Sequence, residues 1–186
     1  MKIESLIVEL SKDPFNPQLN FNCAAEYESI NQTASAVSFY LRTAEYGKGI
    51  LVYNSLLKLA RCFEDQNDRV NTVSNCILQA VAYMPDRPEA YFMMSQFHER
   101  QGNWQECYTW AELGLAVSYD VGFEHLPASI GYHNEYCLLF EKAVSAWWIG
   151  RKNESISGLI ELSKKKLTEE YATAVKNNLE RLNVGL

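Results

Sequence analysis

Apolar positions along this chain recur every three to four residues, the spacing of amphipathic helices, and strand-like alternation is negligible. Ile3, Leu6, Ile7 and Leu10 form the first stripe, between Lys2 and Lys12. Asp13-Pro14-Phe15-Asn16-Pro17 stops it, and a proline can open the next helix. Two helices are expected over residues 17–46, flanking Asn31, with Ala36, Val37, Tyr40 and Leu41 on the second. Gly47 and Gly49 break the pattern before a second pair over 50–84, turned at Gln66-Asn67-Asp68. Pro85-Asp86-Arg87-Pro88 leads into a third pair over 88–117, turned at Gly102. An insertion over 118–131 carries Gly122, Pro127 and Gly131, and a fourth pair over 132–165 turns at Gly150. Thr168 then caps a last helix, 168–182, striped by Tyr171, Val175, Leu179 and Leu182.

The four turns are in register. Asn31, Asn67, Gly102 and Gly150 are residue types that tolerate a left-handed backbone at a helix end. Small side chains or close equivalents stand seven residues before each (Ala24, Ala60, Ser95, Ala143) and five after (Ala36, Thr72, Cys107, Ser155). Those offsets let paired antiparallel helices approach closely. The steps from Asn31 to Asn67, to Gly102 and to Gly150 are 36, 35 and 48 residues. The unit is therefore about 34 residues long with one insertion, the period of a tetratricopeptide-type solenoid. The expected fold is all-α: one domain over 1–186, a right-handed superhelix of about four hairpins with extra helices at both ends.

The third pair resembles the tetratricopeptide repeat (TPR) family most closely. Tyr91 opens it, Met94-Ser95 stands where the family prefers Leu-Gly, and Gly102 sits at the turn. Trp104 follows, with Cys107 at the family's Ala and Gly114 at the second close contact. Lys142 departs from the pattern, replacing Cys23, Leu59 or Met94 of the other units. A narrower likeness is carried by Asp13-Pro14-Phe15-Asn16-Pro17, Asn20-Phe21-Asn22 and Glu26-Tyr27. Arg87-Pro88-Glu89-Ala90, Tyr136, Glu141 and Ala146 to Arg151 carry it further. These look like TPR segments associated with glycosyltransferases, over residues 13 to 181. That resemblance implies a glycosyltransferase as neighbour or partner.

Chemistry is sparse. A transferase of the metal-dependent type would need Asp-x-Asp, which is absent, and no phosphate-cradling glycine loop or Gly-x-Ser-x-Gly elbow occurs. His98 has the spacing of a packed interior histidine. His125 and His133, with Asp120, Glu124 and Glu135 nearby, have ligand chemistry but no fixed helical spacing. The expectation is no enzyme, no metal and no cofactor. A net charge of −6 argues against nucleic acid, since phosphate binding needs a basic field. Five scattered cysteines without zinc spacing suit a reducing, cytoplasmic setting.

Function is expected on a surface, with a protein or peptide as partner. In such a solenoid the first helix of each hairpin lines the concave side. Ten residues before the turns stand Phe21, Leu57, Phe92 and Phe140; three before stand Glu28, Glu64, Glu99 and Trp147. Six before stand Ala25, Arg61, Gln96 and Val144. Open, this stripe offers Phe21, Leu57, Phe92 and Phe140 as anchors, with Glu28, Glu64 and Glu99 attracting basic residues and Arg61, Gln96 and Trp147 beside them. Closed, it is covered by the insertion, the terminal helices or a second subunit, because exposed rows of Phe are costly.

Overall fold

The computed structural model describes residues 3–66, 69–118 and 124–182. Among them are ten helices and no strand: α1 (Ile3–Leu10), α2 (Pro17–Ser29), α3 (Thr33–Tyr46), α4 (Ile50–Glu64), α5 (Val70–Tyr83), α6 (Pro88–Arg100), α7 (Trp104–Val117), α8 (Glu135–Trp148), α9 (Lys152–Ser163) and α10 (Glu169–Arg181). None of these helices is long and apolar enough to cross a membrane. The consecutive helices α2/α3, α4/α5, α6/α7 and α8/α9 pack against one another in pairs. The fourth starts later than expected: Asn134 caps α8, accepting from the Tyr136 amide at 2.9 Å, which leaves Tyr132 in the preceding segment.

Three of the four turns carry one device. Asn31, Gly102 and Gly150 have φ of 59°, 71° and 85°. In each, the turn residue's N–H returns to the carbonyl three back, and the next N–H to the carbonyl five before it. Asn31 bonds to Glu28 and Gln32 to Tyr27, Gly102 to Glu99 and Asn103 to His98, Gly150 to Trp147 and Arg151 to Ala146. This is the Schellman arrangement, which satisfies carbonyls that a helix end would leave bare. Asn67, the fourth expected turn residue, lies outside the described residues with Asp68, Asp120 and Gly122.

The chain divides into two compact units, Met1–Pro85 with Gly122–Ile130, and Asp86–Val121 with Gly131–Leu186. In the first, Leu6 and Leu10 of α1 pack on Cys23, with Leu19 and Phe39 alongside. The Asp13–Pro17 segment has a structural role: Asn16 caps α2 through the Leu19 amide at 3.1 Å. Buried Asn20 donates to the carbonyls of Pro14 at 3.0 Å and Asn16 at 2.8 Å.

In the second unit the small residues sit where close approach was expected. Ser95 donates to the Cys107 carbonyl at 2.9 Å. A Cβ on Gly114 would lie 2.8 Å from the Leu138 side chain, and one on Gly158 would lie 3.1 Å from that of Ala143. Tyr171, Val175 and Leu179 bury one face of α10. Lys142, the outlier of the repeat pattern, is accommodated by charge: its Nζ lies 3.0 Å from Glu112 and 3.3 Å from Glu154. All five cysteines are buried and free, and burial pushes the thiols of Cys62 and Cys107 up to about 12.

Candidate functional site

In the first unit, Asn54, Leu57, Arg61 and Glu64 follow one another on α4 at steps of three, four and three residues, so they share one face. That face is occupied by the chain's own segment 124–130. Asn54, with 0% exposure, donates from Nδ2 to the Ala128 carbonyl at 3.0 Å. The Ala128 amide donates back to Asn54 Oδ1 at 2.7 Å. Two turns along, Arg61 Nη2 donates to the Ile130 carbonyl at 3.2 Å, while Nη1 pairs with Glu64 at 3.2 Å. Ile130 is 5% exposed and Leu57, between the two polar residues, is fully buried. A side-chain amide offers one donor and one acceptor side by side, the complement of a peptide group. Asn54 therefore reads main chain and is indifferent to side chains.

On α2, Phe21 is buried with its ring 5.5 Å from that of Tyr40. Glu28 accepts from Tyr40 at 2.6 Å and pairs with Lys58 at 2.9 Å. Burial, then the Glu28 contact, raises the Tyr40 pKa.

The second unit places Phe92, Gln96 and Glu99 on α6, and Phe140 and Trp147 on α8. Phe92 is 1% exposed, its ring 5.4 Å from Tyr132. Phe140 meets Tyr171 of α10 at 5.3 Å, edge to face. Trp147 is half-buried with Lys152 Nζ 5.0 Å above its ring. Trp148 is 60% exposed and stacks on Trp104 at 5.1 Å, so the two adjacent tryptophans do not form one platform. On α8, Glu141 is 2% exposed, hydrogen-bonded to Gln96 of α6 and with Oε2 unpartnered. Burial, then the Glu99 charge, pushes its carboxyl up to about 8. Burial also raises Glu99, against the opposing pull of Arg100.

The row of open apolar anchors is thus corrected at Phe21, Leu57 and Phe92. All three are packed inside, because an aromatic or leucine on a helical stripe lowers the free energy by roughly 1.5–3 kcal/mol when the chain can cover it. Of the expected set, Glu28, Arg61, Glu64, Gln96, Glu99, Phe140 and Trp147 keep partial exposure. Asn54 was not anticipated. The signal was present: it lies thirteen residues before the Asn67 turn, one helical turn ahead of Leu57, a lone amide in an apolar helix.

The other candidate chemistry is dispersed. His98 is half-buried with Nδ1 unpartnered, and burial lowers its pKa. Among the described residues no three His, Cys, Asp or Glu side chains converge to hold a metal. On the α8/α9 side, a pocket of about 250 Å³ is lined by Leu139, Lys142, Ala143, Glu154, Gly158 and Leu162. Tyr108 beside it donates to Glu154 at 2.6 Å and accepts from Arg151 at 2.8 Å, so the charges there are mutually engaged.

Helical hairpins closed by in-register left-handed turns and small-residue contacts define a repeat fold of the tetratricopeptide type. Comparison with solved structures shows the same. The chain matches YrrB, described as a TPR protein with an unusual peptide-binding site, at TM-score 0.64 and 10% identity over 94% of this chain and 81% of that one. TTC0263, a TPR protein of Thermus thermophilus, matches at TM-score 0.60 and 11% identity over 98% and 89%. MamA matches at TM-score 0.64 and 11% identity over 96% and 89%. No protein-family model and no curated protein sequence matches the chain.

Proposed function

We propose that this chain is a non-catalytic, cytoplasmic protein-interaction scaffold that holds a partner's extended segment on the stripes of its first-of-pair helices. The observation that carries the reading is the main-chain clasp on α4, where Asn54 and Arg61 already hold segment 124–130 by its backbone amide and carbonyl groups. The partly exposed Glu64 and Glu99 would favour a partner with basic residues, and Phe140 and Trp147 offer apolar surface beside them. The peptide-binding site ascribed to YrrB, on a similar fold, supports the same class of role. A finer alternative, an accessory segment of a glycosyltransferase system, draws on the sequence resemblance alone.

The test is a selection of peptides from a random display library on the purified chain, followed by calorimetry on the winners. The expected result is extended peptides bound at micromolar Kd, weakened at least about tenfold by Arg61→Ala. No enriched peptide, together with repurifiable turnover of nucleotide-sugars abolished by mutating one acidic residue, would overturn it.

A further inference from the structure

We infer that residues 124–130 are a resident occupant of α4, holding a place that a partner's extended segment takes by displacing them; this rests on the scaffold reading above. The occupant shows what the face accepts. From Leu126 to Ile130 it carries no charge: Leu126, Pro127, Ala128, Ser129, Ile130. Pro127 fixes φ and lowers the entropy lost on binding. The two residues whose carbonyls are bound, Ala128 and Ile130, are spaced by two, with the chain bent at Pro127 and Ala128, and are matched by Asn54 and Arg61 spaced by seven. Ile130 supplies the buried aliphatic contact.

Nothing in the clasp reads the identity of residue 128, because both Asn54 bonds go to its main chain. The face therefore suits an uncharged stretch of the form Pro-x-x-aliphatic, bent where the resident one bends at Pro127 and Ala128, and any partner presenting one meets the same donors and acceptors. With the occupant in place Asn54 is fully buried, and the desolvation of its amide is compensated by the two bonds to Ala128, so an occupant must supply both to hold the face. Occupation from within keeps the face closed until a competitor arrives, and the apparent affinity for that competitor falls by the fraction of time the face is vacant.

The test uses the full chain and a labelled peptide of residues 124–130 with blocked ends, followed by fluorescence anisotropy. Ala128→Pro with Ile130→Ser removes the amide donor and the aliphatic contact from the resident segment. The doubly substituted chain should bind the peptide at least about tenfold more tightly than the unmodified chain. Adding Asn54→Leu should abolish the gain. A folded double variant that binds no better, or a gain that survives Asn54→Leu, overturns the inference. Should the double variant fail to fold, hydrogen exchange on the unmodified chain serves instead. Millimolar peptide should accelerate exchange at the Ala128 amide, and unchanged exchange under saturating peptide overturns the inference.

Two outcomes separate this inference from the scaffold reading. Display-selected peptides that bind unmodified and loosened chains equally would leave the scaffold standing and sink the resident occupant. A 124–130 peptide that binds as expected, with no selected peptide competing for α4, would leave the site standing and remove α4 from the scaffold reading. An unmodified chain that forms dimers by exchanging the segment between copies would overturn the external partner.

Discussion

Glu141 is a buried carboxyl whose surroundings disfavour its charge. Its carboxyl is held near 8 by burial and the neighbouring Glu99, against an ordinary value of 4.5. A folded-state pKa above the unfolded one means that the native state binds the proton more tightly. The resulting stability is full below the unfolded value and drains away as pH rises from about 4.5 through 8. Glu141→Gln removes that dependence, so its denaturant midpoint should fall less steeply between pH 5 and 8. At pH 8 the variant should be the more stable by roughly 1–3 kcal/mol, with a residual slope left by Glu99. Equal slopes in the two proteins would place Glu141 in water. Phe92 makes the complementary point. Packed against Tyr132 and 1% exposed, it should cost about 3–5 kcal/mol on change to alanine, measured by urea unfolding. A loss under 1 kcal/mol would restore it as a surface anchor.

Among elements, turns and close contacts explain what was legible in sequence. Asn31, Gly102 and Gly150 could be read because only a few residue types sit comfortably at positive φ, and the three recur at matched offsets. The helix-facing stripe could be read for the same periodic reason. What lies on top of that stripe could not, since periodicity names a helix face without naming its neighbour. The segment over α4 has no period of its own, and Asn54 announces itself only through partners 74 residues away. The glycines carry a test at this scale. Gly102→Ala, with open space around its Cβ but φ of 71°, should cost about 1–2 kcal/mol from backbone strain alone. Gly114→Ala has ordinary φ but would drive a methyl to 2.8 Å from Leu138, and should cost a similar amount through repacking. Gly102→Asn should recover most of the first loss and Gly114→Asn none of the second, as midpoints of thermal unfolding would show.

For the whole molecule, the first unit is finished by residues that follow the first hairpin of the second. Segment 124–130 belongs with α4, yet α6 and α7 are strung between them. Closing a loop of 74 residues costs roughly 1.5 kcal/mol more in chain entropy than closing one of 12, the separation bridged by Tyr40 and Glu28. Contacts of that span form late. Pulse-labelling during refolding should protect the Tyr40 and Ala60 amides first and the Ala128 amide in a later phase; simultaneous protection would refute that order. The same order has a consequence during translation. While the ribosome is still making α5, α6 and α7, the Asn54 and Leu57 face of α4 stands finished but uncovered. For that interval every copy of the chain, whatever its later fate, passes through a form in which this face is open to whichever protein meets it first.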